Sequence, residues 1–276
     1  MKRKQRSLLT TTLGVILLCA FFAPVFAQTI LVDFGPNNDV DGRATSNPDS
    51  NGNHWNSWRP VLGYTNNGPY VTAGMSTNNL ITTANVATEI SLVVTANFTG
   101  ANGILNGGLH APDGPDSGLL GNFAIETATE DYFFDSYQGG AIKVTGLDPK
   151  YFYNFRFFGT REWSSATRET RYSVRGDNGT FTADLVTSGS NIGNNGTYDG
   201  NDDTIATVAG VAPTRTGEIY IDISDLQGGY SYIGIMEITR GHAVPTLTEW
   251  GMIILAALVL FAGASKLMRT PATVRA

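Results

Sequence analysis

Cysteine is almost missing from this 276-residue chain: Cys19 is the only one, and it lies in an N-terminal apolar run. The rest of the chain can form neither a disulfide nor a thiolate metal site. Histidine is nearly as scarce. His54 and His110 are the only two before residue 242, and neither falls in a His-Glu-x-x-His or comparable metal spacing. Gly-x-Ser-x-Gly and Gly-Asp-Ser nucleophile strings are absent, so no catalytic residue is assigned and the chain is not read as an enzyme. Basic residues are few as well: residues 28–241 hold 23 acids and 11 bases, a net charge of −12 against −6 for the whole chain. Such a field repels nucleic acid and anionic lipid, which excludes nucleic acid as a partner. Helical periodicity is lacking between the two ends of the chain.

What is present is concentrated first at those ends. Lys2, Arg3, Lys4 and Arg6 precede an apolar stretch over residues 8–22, which closes at Val25-Phe26-Ala27. This is the layout of a secretory signal peptide over residues 1–27, read by a Sec-type export machinery and cut after Ala27. Lipidation at Cys19 does not fit, because Leu18 is too large for the position before the cysteine and more apolar residues follow. At the other end, residues 250–265 carry no charge. At about 1.5 Å per residue they span ~24 Å, slightly short of the ~30 Å hydrocarbon core. Lys266 can snorkel, which extends a transmembrane helix to about residue 268, and Trp250 suits the opposite interface. Lys266, Arg269 and Arg275 form a basic tail over residues 266–276 that should stay cytoplasmic. The expected state is an inner-membrane anchor with everything between the two segments outside the cytoplasm.

Just above that helix stands Val244-Pro-Thr-Leu-Thr-Glu-Trp-Gly251. Proline keeps this stretch extended and out of the helix, which leaves its backbone open to a protease. The segment resembles the IPTL-CTERM sorting signal, an Ile-Pro-Thr-Leu string followed two residues later by Trp-Gly. Pro245, Thr246, Leu247, Trp250 and Gly251 match that pattern, and Val244 stands in for the isoleucine. The resemblance covers the tail, residues 244–276. It implies processing by an exosortase-type membrane enzyme and transfer to the cell surface or extracellular matrix.

Between the ends, residues 28–241 alternate with period two, with Gly, Asn and Asp between the runs. Strands are expected at 30–34, 89–98, 151–158, 171–174, 180–185, 204–208, 218–223 and 232–239. Residues 151–158 are aromatic on both faces, as a doubly covered strand would be. Residues 36–60 and 187–203 read as long loops. Eight or nine strands with Gly/Asn-rich turns specify an all-β domain, a single jelly-roll-like β-sandwich. Val32-Asp-Phe-Gly35, Phe157-Phe-Gly-Thr-Arg161, Arg168-Glu-Thr-Arg-Tyr172 and Tyr232-Ile-Gly-Ile-Met-Glu-Ile238 resemble strings in bacterial galactose-binding-like and malectin-like surface modules. That resemblance implies a fold rather than a ligand.

Three sets of side chains could carry chemistry. Trp55, Trp58 and Trp163 all fall in expected loops, where an indole can cover the apolar face of a sugar ring. Arg161 and Arg171, with Arg168, flank Trp163. The structural alternative is that the tryptophans cap the sandwich while the arginines pair with Glu162 and Glu169. A calcium ion could be held by Asp39 and Asp41 in Asn37-Asn-Asp-Val-Asp-Gly42, or by Asp199, Asp202 and Asp203. Ordinary Asx turns account for the same residues. Glu126, Glu130, Asp131 and Asp135 could supply the carboxylate pair of a glycoside hydrolase, or a solvated strand and turn. The favoured reading is a non-catalytic glycan-binding surface or matrix protein. The alternatives are a structural or adhesive component without a small-ligand site and a divergent polysaccharide-acting enzyme.

Overall fold

A computed structural model of the chain describes residues 28–60, 64–65, 68–69, 71–136, 138–194 and 197–243, together with Leu255, Leu258 and Val259. The expected signal peptide and sorting motif lie outside the described residues, as does the rest of the expected membrane span.

Among the described residues sixteen strands are formed, most of them short. In chain order they are β1 (Thr29–Phe34), β2 (Asn56–Trp58), β3 (Tyr64–Thr65), β4 (Gly68–Pro69), β5 (Ser76–Thr77), β6 (Ser91–Ala96), β7 (Gly100–Asn102) and β8 (Tyr132–Ser136). They continue with β9 (Gly140–Thr145), β10 (Tyr151–Phe158), β11 (Arg168–Gly176), β12 (Gly179–Ser188), β13 (Ala206–Val211), β14 (Ile219–Gln227), β15 (Tyr230–Ile233) and β16 (Ile235–Ala243). The only α-helices among the described residues between β1 and β16 are single turns, α1 (Ser117–Leu120) and α2 (Glu126–Thr129). A five-stranded sheet runs β13-β10-β16-β1-β2 and a six-stranded sheet runs β12-β11-β14-β9-β6-β5. Pairing is antiparallel throughout both except between β1 and β2. A third sheet, β15-β8-β7, sits beside them.

The alternation read from the sequence sets the main core. Ile30, Val32 and Phe34 of β1, Tyr153, Phe155 and Phe157 of β10, and Met236 and Ile238 of β16 form one wall. Leu92 and Val94, Ile142 and Val144, Tyr172 and Val174, and Ile219, Ile221 and Ile223 form the other. Two sheets joined by one apolar layer make a β-sandwich. The first and last strands pair directly, from Thr29 opposite Thr239 to Asp33 opposite Ile235. The outer face of the five-stranded sheet is not solvated. Leu31, Phe158 and Ile235 point that way and are covered by Trp55, Leu109, Leu120, Phe123 and Ile125. Loops therefore roof the sheet, which explains why β1 is apolar on both faces.

The strand count exceeds the expected eight or nine because short segments were read as loop. The run 232–239 is divided at Gly234 between β15 and β16. The expected loop 36–60 contains β2, which pairs parallel with β1 from Val32 opposite Asn56 to Phe34 opposite Trp58. The strand β9 has no expected counterpart, and β8 lies where a solvated strand and turn is expected but is largely buried.

Candidate functional site

The third sheet builds the most distinctive surface. On β8 the side chains alternate: Phe133 enters the main core, while Tyr132 and Phe134 turn to the opposite side. Tyr230 and Tyr232 share one face of β15 by the same period of two, and pack with them. Register places Tyr232 beside Phe134, and Asn102 beside Tyr132. Tyr132 meets Tyr232 edge to face, with ring centroids 5.2 Å apart, and meets Phe134 at 6.4 Å. These rings, with Asn102, Asn106 and Arg161, line a cleft of about 120 Å³. That is well below the ~300 Å³ at which pockets for drug-sized ligands begin, so it suits one polar substituent of a larger molecule.

The loop following β10 completes the cleft. Backbone hydrogen bonds pin it: Arg161 N–H donates to Thr187 O at 3.0 Å, Glu162 N–H to Gly107 O at 2.7 Å and Trp163 N–H to Asp199 O at 3.1 Å. Arg161 Nε donates to Asn106 O at 3.0 Å, and the Tyr132 hydroxyl donates to the same carbonyl at 2.8 Å. The guanidinium carbons of Arg161 and Arg168 lie 4.9 and 4.8 Å from the Trp163 ring centroid. Arg168 also lies 4.2 Å from the Tyr230 ring, and its Nη1 donates to the Tyr232 hydroxyl. Trp163 remains 39% exposed. Burial raises the hydroxyl pKa of both Tyr132 and Tyr232, so these phenols stay protonated at neutral pH.

Of the five expected ligand residues, Arg161 lines this cleft and Trp163 packs on its guanidinium outside the lining. Trp55 is 1% exposed and donates from Nε1 to Asp49 Oδ2 at 2.8 Å, roofing the five-stranded sheet. Trp58 is in the main core against Phe34 and Phe133. Arg171 forms a two-pronged pair with Asp184 on the surface of β11 and β12. The tryptophan loops therefore do not make one platform: two of the three indoles are capping and core residues. The sequence reading missed Tyr132, Phe134, Tyr230 and Tyr232. Their signal was a pair of aromatics two residues apart in each of two short strands, a spacing that places both rings of a pair on one face.

Several of the acidic candidates accept hydrogen bonds within the fold. Asp39 is exposed, whereas Asp41 is buried and accepts from Leu105 N–H at 2.7 Å. Asp202 accepts from Asn194 N–H at 2.6 Å, Asp203 accepts from Thr204 Oγ1 at 2.7 Å, and Asp199 lies half-buried beside them in sequence. Among the described residues, no three His, Cys, Asp or Glu side chains are grouped to hold a metal ion. Glu130 is fully buried on Arg43, and Asp135 accepts from Gln138 N–H at 2.9 Å and from Gly139 N–H. Asp131 sits against Asp33 inside the fold, both fully buried, and burial raises both carboxyls, Asp33 to about 7. None of these acids lines the cleft.

Comparison with known families bears on the tail. Residues 242–269 match the IPTL-CTERM motif. That signal indicates an exported, surface-sorted protein and implies an exosortase-type processing enzyme. Among the described residues no helix is long and apolar enough to cross a membrane. No curated protein matches the chain. Solved structures similar to parts of it include a tailspike enzymatic domain of bacteriophage CBA120 (13% identity, TM-score 0.21, covering 42% of this chain and 16% of the other). A second is an arabinose-bound MgGH51 α-L-arabinofuranosidase (10% identity, TM-score 0.28, 83% and 32%). A third comes from carbohydrate-binding modules of the β-sandwich superfamily (12% identity, TM-score 0.18, 63% and 83%). The chain thus spans less than a third of the first two proteins, and superpositions at these scores define no shared site.

Proposed function

We propose that the protein is exported by its signal peptide, held in the inner membrane by its C-terminal helix, sorted to the surface or matrix, and there binds glycan without catalysis. The observation that carries the binding reading is the cleft of Tyr132, Phe134, Tyr230 and Tyr232 with Asn102, Asn106 and Arg161 on its walls. Aromatic faces with a few polar groups between them are suited to a molecule that is apolar on its ring faces and polar at its edges. A jelly-roll-like sandwich supports this use, because its loops and end strands are free to vary while the core holds. Among the described residues the cleft walls carry no carboxylate, whereas glycoside hydrolysis needs two flanking the scissile bond. No metal is invoked in this contact; calcium, if the acidic loops take it up, would brace the loops.

Glycan-array binding by the full-length chain in detergent tests the reading. Trp163→Ala should remove on the order of 1–2 kcal/mol of affinity while the fold is kept, as expected for an anchor at the rim of a contact. A wild-type chain that binds no glycan would leave the structural or adhesive role as the better account.

A further inference from the structure

The charge of the cleft narrows the ligand class, on the basis of the glycan-binding reading above. Across residues 28–241 acids outnumber bases by about two to one, so a basic group has many chances to find a partner. Ion pairs among the described residues join Arg43 to Glu126 and Glu130, Lys143 to Glu218, Arg156 to Glu237 and Arg171 to Asp184. Arg161 and Arg168 belong to none of these, although Arg168 is only 5% exposed and Arg161 is half-buried. Arg168 Nε is buried with no hydrogen-bond partner. Two guanidiniums withdrawn from water beside each other repel, and each loses hydration that no carboxylate restores. Ring faces of Trp163, Tyr230 and Tyr232 compensate in part.

The hydrogen bonds of the cleft point the same way. The Tyr232 hydroxyl accepts from Arg168, which leaves its own proton available to donate. The Arg161 Nε proton is used on Asn106 O and its guanidinium also reaches the Tyr232 hydroxyl, which leaves the remaining terminal N–H groups to donate. Asn102 and Asn106 also line the cleft, and their amides can donate as well as accept. A wall rich in donors, with two cations beside it and no carboxylate, matches a group that only accepts. We infer that the cleft takes the oxyanion of an acidic sugar, a uronate carboxylate or a sulfate ester, bound by Arg161 and the Tyr232 hydroxyl with Arg168 behind them. The 120 Å³ volume admits such a group while the sugar ring stays outside, on the side where Arg161 meets Trp163.

The test titrates the full-length chain in detergent with oligogalacturonate, oligomannuronate and chondroitin sulfate. Each is set beside its neutral counterpart, carboxyl-reduced for the uronates and both desulfated and carboxyl-reduced for chondroitin sulfate. At least one acidic glycan should bind about tenfold or more tightly than its neutral counterpart, the scale of one hydrogen bond to a charged group. That preference should shrink as salt rises from 50 to 500 mM. It should vanish in Arg161→Gln and return in part in Arg161→Lys, with thermal melts confirming that both variants fold. If the sulfated member wins over the uronates, the same site holds and its oxyanion is sulfate. Equal or tighter binding of the neutral members overturns the anionic assignment and leaves the glycan reading standing. A full acidic preference kept by folded Arg161→Gln overturns the placement in this cleft. No binding of any member, acidic or neutral, overturns both.

Discussion

At the level of single residues, three positions show how environment decides what a side chain does. Trp58 and Trp163 are the same residue type in stretches of similar composition, yet Trp58 lies within 6 Å of the Phe34 and Phe133 ring centroids and Trp163 lies half in water. Trp58→Ala should therefore cost about 3–5 kcal/mol in chemical denaturation, because it opens a cavity in a packed core. Trp163→Ala should cost less than about 1 kcal/mol of stability. Asp33 gives a second contrast. It accepts from Thr45 N–H at 3.1 Å and from Ser57 Oγ at 3.0 Å through one oxygen, while its other oxygen and one of Asp131 are buried without a hydrogen-bond partner. Two adjacent carboxylates in that setting cannot both ionise, so the folded protein holds a proton that the unfolded chain gives up near pH 4. With the folded state binding more protons, the contribution of this pair to stability is greatest below about pH 4 and falls as pH rises to about 7 and above. Urea melts across that window should show the decline, and Asp33→Asn should flatten it. Stability that climbs over the same window would mean that the pair is ionised in the folded protein.

Among the elements, the turn leaving β1 and the strand β8 are tied together by close packing. A Cβ placed on Gly35 would lie 1.9 Å from Asp131 Cγ, and one on Gly42 would lie 2.1 Å from Asp131 Oδ2. Glycine is required at both positions so that the segments around Asp33 and Asp131 can touch. Gly35→Ala should lower stability by about 1–3 kcal/mol through that overlap. Adding Asp131→Ala should recover part of the loss, because the two changes act on one contact; a double-mutant cycle by thermal melting reads the coupling. Strands with long apolar alternation were legible before folding: β1, β6, β10, β11 and β14 all fall where the period of two places them. The burial of β8 was not, because Tyr-Phe-Phe-Asp-Ser is short and follows the acids Glu130 and Asp131, which read as a solvated strand and turn. Both acids are in fact buried, Glu130 by pairing with Arg43 and Asp131 by sharing space with Asp33.

For the whole molecule, sorting and binding are separable. The tail carries the address and the sandwich carries the cleft, so damage to one should spare the other. Replacing Pro245 and Thr246 together with alanine should leave export intact but retain a full-length, membrane-bound form in a host with the cognate sorting enzyme. Immunoblots of fractionated cells read this directly. A wild-type protein that keeps its tail in that host would make the segment an anchor only. Glycan binding by the double variant should match wild type, since the cleft is walled by residues between Asn102 and Tyr232.

Export and surface sorting were written in the sequence because a receptor or enzyme reads those segments as short linear strings, with no tertiary context needed. The all-β class was written there too, because a period of two in apolar residues has one compact solution, a sheet with a buried face. Which aromatics face water was not. Trp55, Trp58 and Trp163 are equivalent as letters, and only the packing of loops over the outer face of the five-stranded sheet buries the first while core contacts bury the second. The cleft itself joins β7, β8, β15 and the loop after β10, from Asn102 to Tyr232 in sequence, and no local pattern encodes an approach between segments that far apart. Strand order decides it, and strand order is set by which faces must be buried together, a property of the folded chain as a whole.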